Sequence, residues 1–104
     1  MDNSTIQEKA ANVRHYFDHD AAKQALKEKY EAKLLFAQGD GMWKAGPELI
    51  SALRMWTLNS MVLLDEYGNP CKVDRDALER EAKMRWQEVM NAWLEEFESL
   101  RRER

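Results

Sequence analysis

His15 and His19 lie four residues apart in a stretch with helical spacing, with Asp18 and Asp20 beside them. That spacing sets both imidazoles on one helix face, the way a helix presents a pair of ligands to a transition metal. The run His15-Tyr16-Phe17-Asp18-His19 lacks the glutamate that a helical zinc hydrolase places after its first histidine, and the chain has no third histidine. Two solvated histidines at a helix break are the plainer account. Cys71 is the second candidate. It stands between Pro70 and Lys72 in a segment that reads as a strand, where neighbouring residues point to opposite faces. Lys72 therefore does not activate it, and a packed structural thiol is expected. Ser4, Ser51, Ser60 and Ser99 lie in no nucleophile-elbow context. Gly39-Asp40-Gly41 is not followed by Gly-Lys-Ser/Thr, so it is no phosphate loop and reads as a connection between helices. Carboxylate pairs such as Glu95-Glu96 read as solvated helix surface. No catalytic residue, no metal-ligand set and no cofactor is assigned, and the chain is read as a non-enzyme.

The aromatic residues are the more telling feature. There are four tryptophans in 104 residues, Trp43, Trp56, Trp86 and Trp93. Trp86 and Trp93 are seven apart and share one helical stripe with Phe97. Trp43 and Met42 sit in a glycine-bounded stretch, Gly41 to Gly46, that reads as a loop, where a tryptophan can serve as an exposed anchor for a partner or fold back over the core. Met42, Trp43, Trp86, Trp93 and Phe97 are the candidate interaction residues.

The elements that must position them follow from spacing and punctuation. Ser4-Thr5-Ile6-Gln7-Glu8 holds two overlapping capping boxes, after which Ile6, Ala10, Val13 and Phe17 recur at helical spacing. Asp18-His19-Asp20 marks a kink or break. Ala22, Leu26, Tyr30, Leu34 and Ala37 then continue a helix to Gly39, a natural stop. Pro47 opens a short helix expected to end near Leu58-Asn59. Met61 to Val73, with Asp65-Glu66-Tyr67-Gly68-Asn69-Pro70 at its centre, reads as a β-hairpin. Asp74 caps a last helix of about 29 residues, roughly 43 Å long. Its stripe runs through Leu78, Ala82, Trp86, Val89, Trp93, Phe97 and Leu100. The expected fold is mainly α, one domain over residues 1–104. Two long helical regions pack antiparallel, with the short helix and the small hairpin at one end.

Composition bounds the function. The chain is 44% hydrophobic and 34% charged, too apolar for a disordered chain. Its 16 basic and 19 acidic residues are mixed along its length, so there is no basic footprint for nucleic acid. The N-terminal residues have no apolar core, so a signal peptide is not expected. The longest apolar run, Met61 to Leu64, is too short for a membrane span. One cysteine excludes an intrachain disulfide.

The run from Phe36 through Gly41-Met42-Trp43 to Ile50 resembles small uncharacterised proteins of tailed bacteriophages of the T4-like marine type. So do Asp65 to Pro70 with Val73-Asp74-Arg75-Asp76, and Arg85-Trp86-Gln87 to Trp93. The resemblance covers roughly residues 34–104 and implies a setting, the cytoplasm of a bacterial host or a virion, but no activity. The expected function is that of a small phage protein acting through protein–protein contacts, as a host-takeover or assembly accessory factor. A virion structural component, or a helical protein that binds nucleic acid or metal, are the alternatives. The expected partners are an unidentified phage or host protein and a second copy of the chain. The stripe at 82, 86, 89, 90, 93, 94, 97 and 100 is wider than one helix covers, and the first helix offers it mostly alanines, which predicts a homodimer through the last helix.

Overall fold

The computed structural model describes residues 19–103. They form seven elements in chain order. Helix α1 covers residues 19–33. A first hairpin follows, β1 (Leu35–Gln38) and β2 (Gly41–Lys44), then α2 (Pro47–Met55). A second hairpin, β3 (Ser60–Leu64) and β4 (Pro70–Asp74), leads into α3 (Arg75–Arg102). Each hairpin is its own two-stranded antiparallel sheet. The fold is therefore mixed, three helices with two small sheets among the described residues. This corrects the expectation of two long antiparallel helices with a single hairpin at one end. The capping boxes at Ser4 to Glu8, the helical spacing from Ile6 to Phe17, and His15 lie outside the described residues.

The correction turns on residues 34–44. Leu34 and Ala37 fit a helical spacing, but the same stretch also carries a period of two. Leu34 and Phe36 are buried while Leu35 and Ala37 are exposed. Two strands win because they pair Phe36 directly with Trp43 and turn both rings into the core. Gly39-Asp40 is then a two-residue hairpin turn. Gly39 has φ 61° while Asp40 keeps a negative φ, the pattern of a type II′ turn. The Ala45 amide extends the ladder by donating to the Leu34 carbonyl at 2.9 Å.

The second hairpin forms where the turn-rich run places it. Met61 faces Val73 and Leu63 faces Cys71 on the inner face, while Val62 and Leu64 point outward. Its loop is built around Asp65, and Gly68 has φ 78° with open space where a Cβ would stand. Gly68→Ala therefore meets backbone strain without a clash and lowers stability by about 1 kcal/mol. Gly41 is the contrasting case. A Cβ there would lie 2.8 Å from Cζ2 of Trp43 and 3.1 Å from the Cys71 sulfur. Gly41→Ala forces an indole to move and is expected to destabilise by about 1–3 kcal/mol. Thermal melts of both variants should rank Gly41→Ala below Gly68→Ala; the reverse order would mean that the two hairpins are not packed together at this point.

Pro47 stands in the first turn of α2 and Glu48 beside it complements the helix dipole. The helix ends at Met55, earlier than spacing suggests, because Trp56 is extended and Arg75 gathers carbonyls of the last turn and of the segment after it. The Arg75 side chain donates to the carbonyls of Leu58 at 3.0 Å and Leu53 at 3.5 Å, and its amide donates to Asn59 at 2.8 Å. Asp74 caps α3 as expected, accepting from the Ala77 amide at 3.2 Å. Helix α3 buries Leu78, Ala82 and Val89 against α2 and the hairpins. Leu53 of α2 and Leu78 of α3 are the two largest fully buried side chains.

Candidate functional site

Trp43 is 2% exposed and belongs to the core. It occupies a strand, not a loop, and its indole N–H donates to the Gln38 carbonyl at 3.1 Å. This overturns the exposed-anchor reading of Trp43 and leaves the folded-back one. Met42 is half-buried and works through its backbone. Its amide donates to Oδ2 of Asp65 at 3.1 Å, and its carbonyl accepts from the Glu66 amide at 2.8 Å. These two bonds tie the first hairpin to the loop of the second.

Asp65 is the hub of that join. One oxygen accepts from Met42, the other from the amides of Tyr67 (3.0 Å) and Asn69 (2.9 Å). The donors at Asn69 and Met42, joined by Tyr67, hold its carboxyl below the ordinary range although burial pushes the other way. A carboxylate with a depressed folded value stabilises the fold above its unfolded value, and that stability is lost as pH falls through the folded one. Acid unfolding is therefore expected to set in below about pH 5. Asp65→Asn keeps an acceptor for Tyr67 and Asn69 but turns an NH2 group toward the Met42 amide. The variant should melt several degrees lower at neutral pH and show a flatter acid limb. A melting curve unchanged across pH would mean that the loop does not depend on this carboxylate.

Trp86 and Trp93 are half-buried on α3. They come together with Trp43, Leu34, Leu49 and Met90 to line an open groove of about 670 Å³ between α1, β2, the start of α2 and α3. The volume lies within the range of sites for small molecules or peptide side chains. Leu64, the last residue of β3, also lines it and is 68% exposed. The groove edge carries Glu31, Glu48 and Glu66 against a single Lys44. Sequence reasoning found the three tryptophans but not the leucines or the glutamates. Leu64 was legible as the outward position of an alternating strand, whereas the glutamates, scattered over three elements, gave no sequence signal.

Phe97 lies apart, in a shallower depression of about 360 Å³ with Asp20, Lys23, Gln24, Lys27 and Trp93. Between the two hollows stands a closed cluster. The Tyr30 ring stacks on Trp93 with centroids 6.0 Å apart, flanked by the ammonium groups of Lys29 and Lys33 at 5.1 and 4.9 Å from its centre. The Tyr30 hydroxyl and the Lys29 ammonium both donate to Oε1 of Glu96. Those bonds, Lys29 first, hold Glu96 below the ordinary carboxylate range. The bond to Glu96, then burial, raises Tyr30. With Lys29 and Tyr30 of α1 both bonded to Glu96 of α3, the cluster reads as a clasp between α1 and α3. It also shows that a tyrosine, rather than an alanine, meets Trp93.

The remaining candidates are placed as follows. Cys71 is buried over Gly41, and burial, then the carboxylates of Asp65 and Asp40, push its thiol up, away from the nucleophilic thiolate. His19 is half-buried in α1, and His15 lies outside the described residues. Among the described residues no three histidine, cysteine, aspartate or glutamate side chains gather as a metal site, and no helix is long and apolar enough to cross a membrane. Large apolar side chains are exposed along one stretch: Met55 at the end of α2, Trp56 and Leu58 after it, then Val62 and Leu64 on the outer face of β3. The chain matches no known protein family, no characterised protein and no solved structure.

Proposed function

We propose that this chain is a non-enzymatic binding module that docks a protein partner in the tryptophan-lined groove and along the adjoining outer face of β3. The observation that carries this reading is the open groove itself, lined by half-buried Trp86 and Trp93 beside the buried Trp43 and continuous at Leu64 with an exposed apolar strand face. Half-buried indoles next to exposed aliphatic side chains gain most by excluding water against a second surface. The buried, proton-retaining thiol of Cys71 offers no competing nucleophile. On the resemblance to small phage proteins, the setting we propose is an infected bacterium or a particle and the role that of a host-takeover or assembly accessory factor, with a virion component as the alternative.

The test is comparative co-purification from infected cells and from purified particles, using the natural chain and a Val62→Asp/Leu64→Asp double variant. Both positions are exposed, so the variant should fold. One protein enriched by the natural chain and lost with the variant is the expected result. The same proteins recovered with both chains would overturn the reading, and recovery of the chain itself in washed particles would favour the virion alternative.

A further inference from the structure

We infer that the groove selects a basic segment of its partner, seating an arginine or lysine side chain together with a neighbouring apolar one. This rests on the docking reading above and adds the chemistry of the occupant. The rim carries three carboxylates, Glu31, Glu48 and Glu66, around an indole floor. Glu31 meets only Lys27, at 4.0 Å, and among the described residues Glu48 and Glu66 make no side-chain ion pair, so these charges are available to a ligand. Lys27 partly offsets Glu31, and Lys44 with the amino end of α2, worth about half a positive charge, offsets part of Glu48 and Glu66, which leaves the rim weakly acidic. Trp86 and Trp93 line the same groove, and an indole attracts a cation, guanidinium above all. An acidic rim over an aromatic floor suits a long side chain whose stem is apolar and whose head is cationic. A purely apolar segment would leave the carboxylates unmatched, and an acidic one would meet like charge.

The experiment is a fluorescence and calorimetric titration of the whole chain with a short amidated peptide of alternating leucine and arginine. Its counterpart with glutamate for arginine, and benzyltrimethylammonium alone, serve as comparisons. Saturable quenching by the basic peptide, at least about tenfold tighter than by either comparison, is expected. It should fall about tenfold in a Glu48→Gln/Glu66→Gln variant and weaken with added salt. Both glutamates are exposed, and an unchanged melting temperature would confirm that the variant is folded. Equal binding of the two peptides, or no effect of the double variant, overturns the charge selection while leaving the docking reading intact. Equal binding of benzyltrimethylammonium overturns the peptide in favour of a small organic cation. A mass that doubles with concentration and blocks the peptide overturns it in favour of a second copy of the chain. If neither peptide binds, the inference fails; if the Val62/Leu64 variant also retains every partner, the docking reading falls with it.

Discussion

Trp43→Ala should destabilise the protein by about 3–5 kcal/mol, the largest loss expected of any single truncation. The indole is almost wholly out of water, pairs across the first hairpin with Phe36, and covers the backbone of Gly41. Removing it takes away the apolar contact and leaves a void between two hairpins whose backbones are already fixed by Asp65, so the site cannot collapse fully. The indole N–H bond to Gln38 is lost as well, freeing a carbonyl at the turn. Trp43→Phe keeps much of the ring and should lose clearly less. Chemical denaturation at neutral pH measures both. A small domain has only about 5–15 kcal/mol to lose, so the alanine variant should unfold at a markedly lower denaturant concentration. A Trp43→Ala protein as stable as the parent would return this residue to the surface and the first hairpin to a loop.

Leu53→Ala should cost about 2–5 kcal/mol. Leu53 is completely buried in α2, a helix of nine residues that is too short to persist without tertiary support. Its packing on α3, together with the Arg75 bond to the Leu53 carbonyl, holds α2 in place and with it the Pro47–Leu49 wall of the groove. The truncation should therefore show in two readouts, a lower unfolding midpoint and weaker ligand quenching of the groove tryptophans. Exposed Leu94 supplies the control, since Leu94→Ala removes the same atoms from a side chain already in water and should change stability by less than about 0.5 kcal/mol. Equal effects at the two positions would mean that α2 does not dock on α3.

The boundaries that local chemistry imposes were readable directly. Pro47 opening α2, Asp74 capping α3, and Gly68 with positive φ in a turn each follow from what one residue's backbone or side chain does to its immediate neighbours. The long stripe of α3 was readable for the same reason, since seven apolar positions at a sustained helical spacing leave little choice of face. The segment from Leu34 to Lys44 was different. Its four residues before Gly39 satisfy helical and strand spacing equally well, and the choice was made by Phe36 and Trp43, which gain their burial only when paired across the turn and packed on the rest of the core. That contact has no local signature. The same holds for the groove. Trp86 and Trp93 announced themselves on one helix, but Glu31, Glu48, Glu66 and Leu64 come from four separate elements, and only the packing of α1, the two hairpins and α2 along α3 brings them to one rim. Sequence determined the ends of the elements and the faces of the helices, because those depend on neighbours a few residues away. Tertiary structure decided the first hairpin, the Asp65 join and the acidic rim, because each depends on groups that meet only after the chain has folded.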